Sequence, residues 1–181
     1  AEGAVRPFEG KMGYLSKMRY DEAELDALRA RLEQPSTLRR VNDNTYKRWP
    51  VGSRGQSAIQ ASLEARRTVK DIDAIREVRV QTDEAVYDHM VRQRADPWAP
   101  TSRETADHAL PYIVGTAVFD GYVKVASFDP ATVLQPARRE FLKRVKIESV
   151  PELSKGGKGG FPTRVEIIDA DRRSHVGEAK A

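Results

Sequence analysis

The chain has 181 residues and a formal net charge of +4, from 31 lysines and arginines against 27 acidic residues. Hydrophobic residues make up 39% of it, which suits one domain with an appended arm. The absence of cysteine excludes disulfides, thiolate nucleophiles and Cys-ligated metal sites. The mild basic excess favours anionic partners, but only 7% of residues are aromatic and no nucleic-acid-binding motif is present, which argues against nucleic acid.

The longest apolar run, from Tyr112 to Phe119, is shorter than the roughly 20 residues that a membrane-spanning helix needs. Residues 1–10 lack the basic and apolar segments of a signal peptide. We therefore expect a cytoplasmic chain without a membrane partner.

Helices are predicted where apolar residues recur at helical spacing. The first covers 22–33, begins at Asp21 with Glu24 placed to complete a capping box, and ends at 34–36. Asp83 is predicted to cap a later helix that carries His89 on its solvent face. The other helices are expected at 56–68, 83–94, 107–120 and 136–144.

Extended segments are predicted at 41–49, 73–82, 145–148 and 163–169, and loops at 52–55, 95–101 and 155–160. Because helices and strands do not alternate strictly, the expected class is α+β, with a small mixed or antiparallel sheet packed against helices. The expected organisation is an N-terminal helical arm over 1–40 and an α+β domain over 41–181. The Gly/Lys-rich loop at 155–160 is expected to be flexible.

The first candidate site lies in the stretch 46–56, where cations precede a glycine-flanked loop and the start of a helix. Backbone N–H groups at a helix N-terminus favour anions. Lys47 and Arg54 are therefore candidates to hold carboxylates or phosphates, and Arg54 has the geometry for bidentate binding. The alternative is a solvated basic loop above a packed Trp49.

The second candidate site lies between Arg103 and Tyr112. If Asp107 caps the helix, His108 and Tyr112 lie four residues apart on one face. With Arg103 just before the helix, these side chains would form a proton-transfer set beside an anion site. The alternative is structural: an N-cap, a half-buried histidine and a core tyrosine. The three histidines of the chain have no metal-ligand spacing, so no metal site is predicted.

Together these stretches and Val118-Phe119-Asp120-Gly121 resemble the MmgE/PrpD family, which includes 2-methylcitrate dehydratases, cis-aconitate decarboxylase and iminodisuccinate epimerase. The resemblance runs from about Phe8 to the end of the chain. It fits the smaller α+β domain, which in family enzymes closes over a cleft against a larger helical domain. It implies a lyase or isomerase that acts on a small di- or tricarboxylate without a metal or other cofactor.

The resemblance also implies roles for individual residues. Lys47, His108 and Tyr112 would be catalytic, and Lys47, Arg54, Gln56 and Arg103 would bind substrate. Several family members carry a histidine in the loop after the proline, but residues 51–55 contain none. Arg54 is therefore expected to bind substrate rather than to donate a proton, which leaves an acid related to 2-methylcitrate open as the substrate.

Much of the family's catalytic set belongs to the helical domain. We therefore expect a helical partner domain or chain to complete the site, and this chain to be inactive alone. One alternative is a stand-alone domain that binds carboxylates without catalysis. Another is a protein-interaction domain, which would expose a large apolar patch or form a homo-oligomer.

Overall fold

The computed structural model describes Met18 and residues 21–33, 46–155 and 161–179. The chain divides into two compact units, Ala1–Tyr46 and Lys47–Ala181. Of the sequence-based predictions, the helix end at 34–36, the extended segment 41–45 and the loop residues 156–160 lie outside the described residues.

The first unit contains helix α1 (Glu22–Glu33), with the bounds that the sequence predicts. Its N-terminus is closed by reciprocal hydrogen bonds. The Glu24 N–H donates to Asp21 Oδ1 at 2.8 Å, and the Asp21 N–H donates to Glu24 Oε2 at 2.9 Å. These two bonds confirm the predicted capping box, which satisfies backbone donors that have no acceptor within the helix.

The second unit is built on a four-stranded sheet, with β1 (Ile75–Thr82), β2 (Val145–Ser149), β3 (Thr163–Asp169) and β4 (Ser174–Ala179). The spatial order is β2-β1-β3-β4. Strand β1 runs parallel to β2, with Val78 opposite Val145, and antiparallel to β3. Strands β3 and β4 form an antiparallel hairpin, in which Val165 lies opposite Gly177.

Six helices of this unit pack with the sheet: α2 (Gln56–Arg66), α3 (Glu84–Tyr87), α4 (Arg103–Asp107), α5 (Leu110–Asp120), α6 (Pro130–Val133) and α7 (Pro136–Leu142). Helix α5 is buried from Leu110 to Val118, and the inward side chains of β1 and β3 are buried with it. The seven helices and mixed sheet of the described residues confirm the predicted α+β class.

Helix α2 lies very close to the edge strand β4. A Cβ atom at Gly177 would lie 2.1 Å from the Ala61 carbonyl oxygen and 2.6 Å from the Ala65 nitrogen. Both neighbours are backbone atoms of a buried helix, so they have no room to yield. Glycine at position 177 is therefore what allows the helix to pack on this strand.

All the chain between β1 and β2 forms one long crossover, because these neighbouring strands are parallel. The crossover carries α3 to α7. Within it, the Trp98 indole N–H donates to the carbonyl oxygen of Val145, the first residue of β2, at 2.9 Å. This bond ties the middle of the crossover to the strand that it leads into.

The prediction of one helix over 107–120 with Asp107 as its N-cap is wrong. Helix α4 begins after Ser102, whose Oγ accepts from the Thr105 N–H at 3.2 Å, while Thr105 Oγ1 accepts from the Ser102 N–H at 3.0 Å. Helix α5 begins at Leu110, and His108 lies in the break between the two helices. Gly121 ends α5 at φ 73°, as the sequence predicts.

Other elements follow the sequence more closely. Asp83 caps α3 as predicted, with its Oδ1 accepting from the Val86 N–H at 2.8 Å. The predicted helix then continues as a π-helical turn, Asp88–Arg92. Strand β4 is missing from the prediction, residues 46–49 join no strand, and the predicted loop at 52–55 contains a 3₁₀ turn, Ser53–Gly55.

Candidate active site

An open cavity of about 510 Å³ lies where the basic loop meets the break between α4 and α5. One wall is the loop 47–52, and the other is formed by Asp107, His108 and Val125. The cavity therefore brings together Lys47 from the first predicted set and His108 from the second.

The Gln56 side chain, at the start of α2, holds the basic loop. Gln56 Oε1 accepts from the N–H groups of Arg48 and Trp49, both at 3.1 Å. Its Nε2 donates to the carbonyl oxygens of Trp49 at 2.9 Å and Val51 at 3.3 Å. Because both ends of the amide bond to the loop, Gln56 positions the cavity wall and does not line the cavity.

The loop presents two positive charges without a counterion. Lys47 is exposed, and no described residue pairs with its ammonium group. The Arg48 guanidinium stacks on the Trp49 ring, 4.9 Å from its centroid, and forms no ion pair with a described residue. A cavity bordered by unpaired cations attracts anions, and carboxylates form charge-assisted hydrogen bonds with both groups.

The opposite wall carries a histidine oriented by a carboxylate. His108 Nδ1 contacts Asp107 Oδ1 and lies 3.1 Å from the Glu104 carbonyl oxygen. Two acceptors on one ring nitrogen favour the tautomer with the proton on Nδ1, which leaves Nε2 as the basic nitrogen. The His108 side chain is 41% exposed, so a ligand in the cavity has access to it.

The two walls approach each other at Gly52. A Cβ atom there would lie 3.9 Å from His108 Cδ2, in ordinary van der Waals contact. The imidazole therefore packs directly against the basic loop. The Asp107 carboxylate, predicted to cap a helix, contacts the His108 imidazole instead.

Tyr112 does not share a face with His108, so that sequence-based prediction is wrong. The cause is the helix break: His108 precedes α5, whereas Tyr112 lies inside it. The Tyr112 side chain is fully buried and its hydroxyl donates to the Ser127 carbonyl oxygen at 2.6 Å. Burial raises the pKa of the Tyr112 phenol, so this hydroxyl holds its proton and does not line the cavity.

Two further predicted residues lie away from the cavity lining. Arg54 points towards Phe161, with its guanidinium 5.4 Å from the ring centroid. Arg103 is exposed at the first residue of α4. Among the lining residues outside the predicted site set are Arg48, Asp107 and Val125. Arg48 and Asp107 are chain neighbours of the predicted Lys47 and His108, whereas no sequence signal points to Val125.

A second histidine–carboxylate pair lies at the other end of the sheet, in a separate cavity of about 270 Å³. His175 Nε2 is 3.3 Å from Asp169 Oδ2, and His175 Nδ1 is 2.7 Å from Thr68 Oγ1. Asp169 also accepts from the N–H groups of Asp171 and Arg173, both at 2.9 Å. Because both imidazole nitrogens have partners, this pair ties the β3–β4 hairpin to the end of α2.

Within the described residues there is no cluster of three or more histidine and acidic side chains suited to holding a metal ion. In the same part of the chain, no helix combines the length and apolar character required to cross a membrane.

The comparison with protein families gives a match over most of the chain. Residues 49–181 match the MmgE/PrpD C-terminal domain. Since the match covers most of the chain, this protein belongs to the MmgE/PrpD family, as the sequence resemblance predicts. Members of the family are generally lyases, dehydratases among them. No curated protein matches the chain significantly.

Proposed function

We propose that this domain forms one wall of the active site of a lyase or isomerase that moves a proton next to a carboxylate group. The substrate is a small di- or tricarboxylate of the 2-methylcitrate type, and the reaction uses no metal. The observation that carries the proposal is that the Asp107-oriented His108 imidazole faces the same cavity as the unpaired Lys47 ammonium group.

The chemistry follows from these charges. Removal of a proton from the carbon beside a carboxylate moves negative charge onto the carboxylate oxygens. Lys47 and Arg48 would bind that carboxylate and stabilise the developing charge. His108 Nε2 would accept the proton, while Asp107 holds the imidazole orientation and stabilises the imidazolium that forms.

The second half of the reaction decides the product. In a dehydration, the C–O bond of the neighbouring carbon breaks and the leaving hydroxyl takes a proton to become water. In an epimerisation, the proton returns to the opposite face of the same carbon. Each step needs an acid across the cavity, and we assign that group to the helical domain that completes the site.

A second candidate function is carboxylate binding without catalysis. The burial of Tyr112 favours it, because the Tyr112 hydroxyl is then not available as a second proton-transfer group beside His108. The two functions share the cavity and differ in whether His108 exchanges a proton with the ligand.

Calorimetry with citrate and 2-methylcitrate, together with NMR of carbon-bound proton exchange in D₂O, tests the proposal. We expect Lys47→Met to weaken binding by about tenfold, the size of one charged hydrogen bond. His108→Gln should leave binding in place and, with the helical domain present, slow exchange by about 10²–10⁴-fold. Lys146→Met is the matched control, because Lys146 is an exposed lysine of β2 outside the cavity lining.

Three outcomes are informative. Slow exchange in His108→Gln with retained binding supports the enzyme. Binding that depends on Lys47 but occurs without exchange in the unmodified chain, alone and with the helical domain present, supports the binding module. Unchanged binding in Lys47→Met contradicts both.

A further inference from the structure

The separate cavity of about 270 Å³ is lined by a hydroxyl, an imidazole and a carboxylate that are joined by hydrogen bonds. Thr68 Oγ1 lies 2.7 Å from His175 Nδ1, and His175 Nε2 lies 3.3 Å from Asp169 Oδ2. We call these three side chains the triad. A nucleophile within hydrogen-bond reach of a base, which a third group orients, is the arrangement used in nucleophilic catalysis.

The β3–β4 hairpin and the end of α2 bring the triad together from distant parts of the chain. In the hairpin, His175 lies opposite Ile167, and Asp169 is two residues further along β3. Alternate residues of a strand share a face, so both side chains lie on the face that α2 covers. Thr68 follows the end of α2. The triad therefore depends on tertiary packing and has no local sequence motif.

The direction of the hydrogen bonds follows from the charge of Asp169. Hydrogen bonding from the Arg173 N–H lowers the pKa of Asp169, so near neutral pH its carboxylate is ionised and only accepts. His175 Nε2 therefore carries the proton, and Nδ1 of the neutral imidazole is an acceptor. The Thr68 hydroxyl donates to His175 Nδ1, since the Ala65 carbonyl oxygen is more distant at 3.5 Å. A general base needs this direction.

The nucleophile is the accessible member of the triad. Thr68 is exposed, whereas the side chains of His175 and Asp169 are 13% and 14% exposed. Lys70 lines the same cavity, and none of the ion pairs among the described residues includes it. A ligand therefore reaches the hydroxyl from a cavity that also offers a positive charge.

We propose that Thr68 is the nucleophile of a second site, which takes small acyl groups from activated esters. His175 is the general base, and Asp169 is a positioning residue that orients the imidazole. The site is separate from the cavity at Lys47 and does not depend on the function proposed there. A cavity of about 270 Å³ is close to the lower end of the range for small-molecule sites, which restricts the site to small acyl groups.

The acyl transfer has two steps. Thr68 Oγ1 bonds to the ester carbonyl carbon while its proton passes to His175 Nδ1, and Lys70 stabilises the charge on the carbonyl oxygen. The bond from that carbon to the alkoxy oxygen then breaks, and the alkoxy oxygen leaves as an alcohol with the proton from His175. In the second step, water attacks the acylated Thr68 by the same route and releases the carboxylic acid and the free hydroxyl.

Reaction of the full chain with p-nitrophenyl acetate tests the proposal. Nitrophenolate absorbance follows the release of the alcohol, and tandem mass spectrometry of peptides locates the acetyl group. We expect it on Thr68 in the unmodified chain and not on residue 68 in Thr68→Val, which keeps the side-chain shape without the hydroxyl. Thr101→Val is the matched control, because Thr101 is an exposed threonine outside this cavity lining.

Three further variants separate chemistry from folding. Thr68→Ser keeps the hydroxyl and should be acetylated at least as fast as the unmodified chain. His175→Gln removes the base and should slow acetylation of Thr68 by about 10²–10⁴-fold. Asp169→Asn should also slow it, because an asparagine amide donates to Nε2 and leaves the imidazole proton on Nδ1. Nitrogen-15 chemical shifts of His175 report that change, and urea denaturation shows that each variant is folded.

The outcomes are distinct. Acetylation of Thr68 that depends on His175 supports the site. If Thr68 and the serine of Thr68→Ser both stay unmodified, or if Thr68 reacts equally fast in His175→Gln, the triad is a structural tie only and the proposal is wrong. Calorimetry of Thr68→Val with citrate should give the affinity of the unmodified chain, so failure of this proposal leaves the one at Lys47 unchanged.

Discussion

Two charged clusters of this domain are built in opposite ways. The paired cluster is Arg138 with Asp120, and the unpaired cluster is Arg54 with Arg94. On α7, Arg138 is 3% exposed and donates to both oxygens of Asp120 at 3.0 and 2.9 Å, and to Thr116 Oγ1 at 3.2 Å. Beside the cavity, Arg54 and Arg94 form no ion pair with a described residue. An internal partner neutralises the charge of Arg138, whereas no described residue neutralises the charges of Arg54 and Arg94.

The two walls of the cavity are held in place by hydrogen bonds between uncharged groups, most of them to the backbone. Gln56 holds the basic loop, and the reciprocal bonds of Ser102 and Thr105 begin α4, whose end delivers His108. The fold therefore does not need the cavity's cations. The contrast is between a charge that an internal partner neutralises, at Arg138, and charges beside the cavity that no described residue neutralises.

The largest expected effect is on the paired cluster. Arg138→Met leaves the Asp120 carboxylate, which is 13% exposed, without its partner. We expect the free energy of unfolding to fall by about 3–5 kcal/mol, the usual cost of breaking a buried pair from one side. Urea denaturation measures it, with Arg76→Met as the exposed control. If the free energy of unfolding fell no further than in Arg76→Met, the Arg138–Asp120 pair would not be structural.

Gln56→Ala tests the hydrogen bonds by which Gln56 holds the basic loop. The variant removes all four bonds to the loop, and we expect a loss of about 1–3 kcal/mol in the free energy of unfolding. Trp49 should become more exposed, which tryptophan fluorescence reports. Gln60→Ala, an exposed position on the same helix, is the control. Equal stability of the two variants would show that the loop does not depend on this clamp.

The Asp169–His175 pair lines a cavity, yet both side chains have partners within the protein. It therefore tests whether a pair that lines a cavity can be structural. Hydrogen bonding from the Arg173 N–H lowers the pKa of Asp169 below its usual value, and His175 and the Asp171 N–H add to the effect. A carboxyl whose pKa is lower in the folded state stabilises the fold above its unfolded-state pKa. That contribution is lost as the pH falls through the folded-state pKa.

Asp169→Asn should therefore lower the thermal stability at neutral pH and reduce its dependence on acid pH. Thermal unfolding across the acid range measures both effects. Asp171→Asn, in the same hairpin, is the control, since its pair with Arg173 is exposed on both sides. If the Asp169 variant kept the acid dependence of the unmodified chain, this pair would not be structural.

The smallest expected effect is on the unpaired cluster. Arg54→Gln breaks no ion pair and loses only the contact with the Phe161 ring, so the free energy of unfolding should fall by no more than about 1 kcal/mol. The same urea titration measures it beside Arg138→Met. A loss of several kcal/mol would show that Arg54 stabilises the fold and would remove the basis for assigning it to a ligand.

Much of the fold is predictable from local pattern. Strand β3 follows its alternating residues to both ends, and the α1 capping box follows Asp21 and Glu24. The sequence pattern does not predict strand β4, because its buried positions are Gly177 and Ala179, which give no hydrophobic signal. Glycine at position 177 is required by a helix far away in sequence, and a local pattern does not show such a requirement.

The site is less predictable, because it depends on where helices break. Lys47 and His108 are found from their sequence context and do meet in one cavity. A regular helix predicts His89 on the solvent face. The π-helical turn adds a residue to that turn and leaves the imidazole half-buried beside Arg94. The predicted pairing of Tyr112 with His108 likewise depends on an unbroken helix, whereas the structure has a break between Asp107 and Leu110.

The long crossover between β1 and β2 has a consequence for the order of folding. The β3–β4 hairpin joins residues that are close in sequence, so its pairing closes a short loop quickly. The parallel pair waits for the whole segment from Asp83 to Arg144 to close, and the Trp98–Val145 bond belongs to that late event. His89, Arg94 and His108 all lie within this segment. We therefore expect the walls of the cavity to form after the β3–β4 hairpin, in the slowest step of refolding.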